Sequence, residues 1–190
     1  ALLALSGANR RVAFEFGLGD RALTDPVAVS DPNRNKTEDW LRLLEPFGGP
    51  LPSTPARLCV SPSEREWAAQ FVAERGVAPQ SALVGVHPGA SISSKRWPLA
   101  NFSTVVRQLA ARPYITPLVF VEPGGYGAEL GEIAGAVPGK VGLREMIALL
   151  DRCRALVCND SGPMHIAGAL GVPTVAVFGS GIKRWFAPLG

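Results

Sequence analysis

The sequence is poor in several features that mark functional classes. Only three of its 190 residues are cysteine, Cys59, Cys153 and Cys158, with no C-x-x-C spacing. An odd, sparse set of this kind excludes a disulfide scaffold, speaks against a zinc site and fits a reducing cytosol. No apolar run approaches the ~18 residues of a membrane-spanning helix. The opening Ala1-Leu2-Leu3-Ala4-Leu5 has no basic flank and does not read as a signal peptide. Charged residues make up 18%, below the usual ~25%. Net charge is only +3 and no long Lys/Arg run exists, so a nucleic-acid partner is not expected, whereas a small anionic ligand is allowed. Neither G-x-x-x-x-G-K-[ST] nor a G-x-G-x-x-G after a strand occurs, which excludes a P-loop and makes a dehydrogenase a poor reading.

What is present is a globular composition. Hydrophobic residues are 47%, enough to bury a core and to exclude a disordered chain. The 21 glycines and 17 prolines are spread without a G-X-Y period, which favours a turn-rich fold and excludes collagen. The chain does not open on Met, and the segment from Ala1 already reads as core-like, so a fragment lacking its true N-terminus is expected.

The first part of the chain is irregular. Val12–Phe16 reads as a strand and Thr37–Leu44 as a short helix. The stretch from Pro46 to Pro55 is rich in Pro and Gly and reads as a linker or domain edge. Ser61-Pro62-Ser63-Glu64 then carries a full helix-start signal: a capping hydroxyl, Pro in the first turn, and Glu closing a capping box. Gly76 ends that helix.

From there strands and helices alternate. Strands are expected at 82–86, 118–121, 155–158 and 174–178, with helices at 98–112, 126–136, 143–152 and 163–170. This pattern implies βαβ units: an α/β fold with a Rossmann-like parallel sheet and helices on both faces. Ligands of such sheets bind beyond the carboxyl ends of the strands, so the strand-to-helix loops are where chemistry belongs.

Three loops stand out. After the first strand comes His87-Pro88-Gly89-Ala90-Ser91-Ile92-Ser93-Ser94-Lys95-Arg96-Trp97-Pro98. Its small residues admit a phosphate and Lys95 or Arg96 can neutralise it; the alternative is a solvated loop anchored by Trp97. After the next strand comes Glu122-Pro123-Gly124-Gly125-Tyr126-Gly127-Ala128-Glu129. Glu122 and Glu129 both suit ribose hydroxyls, because a carboxylate accepts two hydrogen bonds from a vicinal diol; Glu129 alternatively sits in a first helical turn for its charge alone. The third loop is the sharpest: Cys158-Asn159-Asp160-Ser161-Gly162-Pro163-Met164-His165. The N–H groups of Ser161 and Gly162 at a helix start suit a phosphate. Asp160 either binds sugar hydroxyls or caps the helix. His165 either faces the same crevice or is structural. A Ser–His–Asp triad is rejected, because triad members come from distant segments and no nucleophile elbow is present.

In this order the loops resemble glycosyltransferase family 9, the lipopolysaccharide heptosyltransferase family. The likeness rests on His87-Pro88-Gly89-Ala90 with Lys95-Arg96-Trp97-Pro98, on Gly127-Ala128-Glu129, on Asn159-Asp160-Ser161-Gly162-Pro163-Met164-His165, and on Phe178-Gly179 with Trp185 and Pro188. It is strong from about Ser61 and weaker before. The resemblance implies a GT-B architecture, with residues 1–58 the remnant of an N-terminal acceptor domain and linker, and 59–190 a C-terminal donor-binding domain. It implies inverting transfer of a sugar, heptose from ADP-heptose, to a lipopolysaccharide inner-core acceptor. The nucleotide-sugar is a substrate, and no metal or other cofactor is implied.

Carried over by position, Lys95 stabilises the leaving diphosphate and Glu129 holds the ribose. Asp160, Ser161, Gly162 and His165 surround the diphosphate and sugar, and Ser91 stands where the family has phosphate-touching threonines. The family's general base, an Asp in a glycine-containing loop near the true N-terminus, has no counterpart here; Asp20 and Asp25 do not sit in such a loop. The chain alone is therefore expected to bind donor and transfer little or nothing. The implied setting is cytoplasmic, with peripheral association at the inner face of the inner membrane. Two other readings compete: a non-catalytic nucleotide-sugar module, and a GT-B enzyme with another donor, such as an epimerase of a UDP-sugar.

Overall fold

The computed structural model describes residues 5–17, 20–29, 31, 33–48 and 55–188. The chain divides into two compact units, Ala1–Thr54 with Ile182–Ala187 and Pro55–Gly181 with Pro188–Gly190. Most of the Pro/Gly stretch expected as a linker, residues 49–54, lies outside the described residues.

In the smaller unit, β1 (Val12–Phe14) and β2 (Asp25–Val27) pair in parallel. Arg10 fixes the pair by a fork onto Asp25 (2.7 and 3.2 Å) while its guanidinium lies 4.3 Å over the Phe47 ring. Helix α1 (Lys36–Leu41) is capped by Asn35, whose side chain accepts the Thr37 N–H. The expected helix to Leu44 tightens into a 3-10 turn over Arg42–Phe47. Pro46 is the reason: it offers no N–H and its ring presses on the carbonyl four residues back.

The larger unit holds the site. Its strands are β3 (Ala82–His87), β4 (Ile115–Phe120), β5 (Val137–Gly139), β6 (Ala155–Asn159) and β7 (Thr174–Val177). They form one sheet in the order β5-β4-β3-β6-β7, every neighbour parallel. The chain starts in the middle at β3, winds outward through β4 and β5, and then crosses to β6 and β7. The winding reverses between β3 and β6, and a crevice opens at the carboxyl ends of strands at such a reversal.

Alternation along the strands builds two core layers. On one face Leu83, Leu118, Phe120 and Leu156 pack with Phe71 and Val72 of α2 (Pro62–Glu74), Ile147–Leu150 of α5 (Leu143–Asp151), and Met164 and Ala167 of α6 (Gly162–Leu170). On the other face Val86 and Val119 meet Phe102 and Val106 of α3 (Leu99–Ala110) and Leu130 of α4 (Ala128–Gly131). Each fully buried side chain of this size contributes about 1.5–3 kcal/mol. The capping box of α2 forms as its sequence demands: the Glu64 N–H donates to Ser61 Oγ (3.3 Å) and the Ser61 N–H donates to Glu64 (2.7 Å).

Three elements depart from expectation. The helix expected over 126–136 is only α4, followed by β5. Gly125, Gly127 and Gly135 turn the chain through φ of 82°, 85° and 84°, which a continuous helix cannot accommodate. β5 carries Pro138, which an edge strand tolerates. β4 begins at Ile115 rather than 118, because Pro117 precedes the residues that β5 pairs. Lastly, α7 (Lys183–Phe186) belongs with the smaller unit, where Asn35 donates to the Ala187 carbonyl and Lys36 lies 5.0 Å over the Trp185 ring. A division at 58/59 does not register that return.

Candidate functional site

The loop leaving β3 is held by one buried amide. Asn159, the last residue of β6, has no exposed surface. Its Nδ2 donates to the carbonyls of Pro88 (2.6 Å) and Gly89 (3.4 Å), and its Oδ1 accepts the Trp97 N–H (3.0 Å). Trp97 in turn meets Phe102 edge-on, ring centres 5.2 Å apart. Both ends of the Pro88–Trp97 loop are thereby fastened where the winding reverses. Asn159 was visible in the sequence only as part of a motif, with no sign of this task.

The loop presents Lys95 from a single 3-10 turn, Ser93–Lys95. Its Nζ lies 2.7 Å from Asp160 Oδ2; the two side chains are 23% and 3% exposed. Asp160 is anchored through its N–H to the Val177 carbonyl. The segment after β7 closes over both residues. The Ser180 N–H donates to the Ser94 carbonyl (3.3 Å) and the two serine hydroxyls are 3.0 Å apart. Gly179 and Gly181 allow this approach: a Cβ on either would run into the Ser94 carbonyl or the Asp160 carboxylate.

Beside Asp160, α6 begins uncapped. Ser161 is at the N-cap, but its hydroxyl is turned to the Asn159 carbonyl (3.3 Å) instead of the helix. Pro163 has no N–H and the Met164 N–H donates to the Ser161 carbonyl (3.1 Å), so the groups offered at the start of this nine-residue helix are the Ser161 and Gly162 N–H groups, with the positive end of its dipole behind them.

The start of the loop after β3 and the start of α6 border a cleft of about 390 Å³ whose walls include His87, Ser91, Glu122, Met146, Ser161 and Gly162; Lys95 and Asp160 lie beside it and are not among its lining residues. That volume falls in the small-molecule range. His87 forms part of the wall and is only 8% exposed. Burial lowers its pKa to about 4, against weak opposition from the carbonyls of Gly89 and of His87 itself, so the ring is neutral at physiological pH. Its Nδ1 is buried without a hydrogen-bond partner among the described residues. Glu122 lies against Gly89, whose missing side chain leaves room for the carboxylate. Arg96 Nη2 is 3.6 Å from Glu122 Oε2.

The structure brings Lys95 and Asp160 together and puts Ser91, Ser161 and Gly162 on the cleft wall. Glu129, on α4, and His165, on α6, are both exposed and are not among the lining residues. The other carboxylate of the second loop, Glu122, is. Burial pushes the Cys153 and Cys158 thiols up to about 12, so neither is a nucleophile at neutral pH. Among the described residues no cluster of His, Cys, Asp or Glu is arranged to hold a metal ion, and no helix is long and apolar enough to cross a membrane.

Residues 4–190 match the model of glycosyltransferase family 9 (heptosyltransferase). Lipooligosaccharide heptosyltransferase 2 of Haemophilus influenzae is 30% identical over 155 residues, which cover 76% of this chain and 45% of the relative. Lipopolysaccharide heptosyltransferase 2 of Escherichia coli K12 is 30% identical over 154 residues, covering 74% and 42%. Among solved structures, a family 9 glycosyl transferase from Veillonella parvula superposes with a TM-score of 0.83 at 24% identity, over 98% of this chain and 56% of that one. The E. coli ADP-heptose lps heptosyltransferase II gives 0.77 at 23% identity, over 97% and 60%. The chain spans about half the length of the curated relatives it matches.

Proposed function

The chain belongs to glycosyltransferase family 9, and from that premise we propose that its larger unit binds the nucleotide-sugar donor of an inverting glycosyl transfer. The donor is ADP-heptose and the acceptor the inner core of lipopolysaccharide. A lipid-linked acceptor sets the reaction at the inner face of the inner membrane, with the protein a peripheral, cytoplasmic partner.

The observation that carries this reading is the Lys95–Asp160 pair beside the open N-terminus of α6, at the point where the sheet reverses its winding. A diphosphate there meets a cation and the Ser161 and Gly162 N–H groups. As the bond from sugar to phosphate breaks, negative charge grows on the departing diphosphate. Lys95 and the helix end are already aimed at it, and pre-set dipoles of this kind lower a barrier without reorganising. Asp160 keeps Lys95 in place and supplies a carboxylate for sugar hydroxyls. Ser91 adds a hydroxyl from the cleft wall. Glu129 and His165, both exposed, hold the ribose and face the diphosphate and sugar of the bound donor.

Calorimetry with ADP, UDP and GDP tests the reading, alongside Lys95→Ala and with thermal melts to confirm folding. ADP is expected to bind in preference to the others and to lose at least ~10-fold in the variant, as loss of a charge-assisted contact predicts. Absence of binding for all three, or equal binding by folded Lys95→Ala, would refute it.

A further inference from the structure

Two cations stand side by side in the loop after β3, and the structure gives them different work. Lys95 reaches Asp160 beside the start of α6. Arg96 is committed to three other partners. Its Nε donates to the Ala90 carbonyl (2.9 Å), its guanidinium lies 4.3 Å over the Tyr126 ring, and its Nη2 is 3.6 Å from Glu122 Oε2. The first contact closes the loop on itself, six residues back. The other two fasten it to the loop after β4. The same two loops also interlock through glycines. A Cβ on Gly89 would run into the Glu122 carboxylate, and one on Gly127, where φ is 85°, would run into the Pro88 ring.

Lys95 lies between two such anchors. On one side Ser94 is tied to the segment after β7 through the Ser180 N–H and hydroxyl. On the other, Arg96 is tied to the loop after β4. Asn159 holds only the ends of the loop, at Pro88, Gly89 and Trp97. The turn that carries Lys95 is closed by two backbone bonds, Lys95 N–H to the Ile92 carbonyl (3.1 Å) and Arg96 N–H to the Ser93 carbonyl (2.9 Å). So short a turn takes its orientation from the anchors on either side. A lysine ammonium is a point charge on a flexible four-carbon stem, so its aim depends on how firmly its backbone is held. Charge-assisted hydrogen bonds are short, about 2.7–2.9 Å, and a shift of about 1 Å in the turn would break one.

We propose that Arg96 is a positioning residue for the leaving diphosphate: it does not touch the nucleotide, and by locking the loop after β3 onto Tyr126 it holds Lys95 at the terminal phosphate. This rests on the nucleotide reading of the site and on Lys95 as its phosphate contact.

The test is calorimetric binding of ADP and AMP to the 190-residue chain, because the ratio of the two affinities isolates the terminal phosphate. Wild type should favour ADP by at least ~10-fold, the worth of a hydrogen bond to a charged group. Lys95→Ala should bring the ratio below about 3. Arg96→Met should lower the ratio at least ~3-fold, and in the Lys95→Ala background it should change the ratio no further. Tyr126→Ala should lower the ratio too, whereas Tyr126→Phe, which keeps the ring face, should preserve it; this pair carries the test if thermal melts show that Arg96→Met does not fold. The inference is overturned if folded Arg96→Met keeps the wild-type ratio, or weakens ADP and AMP equally as lost packing would. It is also overturned if the effect of Arg96→Met adds in full to that of Lys95→Ala, which means direct contact with the phosphate. Wild type that binds neither nucleotide, or Lys95→Ala that keeps the ratio, would overturn the reading beneath the inference and the inference with it.

Discussion

Removing the Asn159 amide is the sharpest perturbation of this architecture. In Asn159→Ala the Trp97 N–H and the Pro88 carbonyl lose the partners they have at 3.0 and 2.6 Å, at a site with no exposed surface. Each lost hydrogen bond is worth about 1 kcal/mol net, and each buried group left unpaired costs a further 1–3 kcal/mol. Water entering the space recovers part of this, so about 3 kcal/mol is expected. For a chain of this length 1 kcal/mol moves the midpoint by about 2–4 °C, which makes the shift about 6–12 °C. Asn159→Asp separates hydrogen bonding from volume. Its protonated form still donates to Pro88, whereas its ionised form sets a second acceptor against that carbonyl, so this variant should gain stability as pH falls below neutrality while wild type does not. The assay is thermal unfolding by circular dichroism from pH 5 to 8. A midpoint for Asn159→Ala within ~2 °C of wild type, or an Asn159→Asp profile parallel to that of wild type, would refute the idea that this amide fastens the loop.

Two further predictions concern other parts of the larger unit. His87 has its folded pKa depressed from 6.5 to about 4, so its contribution is intact above pH 6.5 and is lost as pH falls from there towards 4, where the unfolded chain takes up the proton first. At 1.36 kcal/mol per pH unit the loss is about 3 kcal/mol; histidine NMR should show His87 staying neutral until about pH 4, and a midpoint for His87 near 6.5 would contradict this. Gly85, in the central strand, has room for almost nothing: a Cβ would lie 3.1 Å from Leu156 and Phe120 and 3.4 Å from Leu150. Gly85→Val should cost about 1–3 kcal/mol through overpacking, and a chemical-denaturation midpoint equal to that of wild type would show that the core yields more than this geometry implies.

Much of this was legible in the sequence because its signals are local. Short apolar runs ending in polar residues marked β3, β4 and β6, and the loops after them held the chemistry-bearing residues. The Ser61–Glu64 box announced α2 because both partners of a capping box lie within four residues. What escaped notice depended on distant partners. Nothing near Asn159 reveals that its amide reaches Pro88 and Trp97, 71 and 62 residues away. Glu122 and Glu129 follow the same strand, and only the packing of Gly89 and Arg96 around the first distinguishes them. Pro117 and Pro138 hid strand residues because a proline is read against a strand unless its edge or terminal position is known. Trp185 gives no local hint that its segment packs with the smaller unit.

The most direct test of the central claim is a crystal structure of this chain with ADP bound. The diphosphate is predicted within hydrogen-bond distance of Lys95 Nζ and of the Ser161 and Gly162 N–H groups, with the ribose towards the loop after β4. ADP bound elsewhere, or in the cleft with its phosphates turned away from Lys95 and the start of α6, would contradict the account.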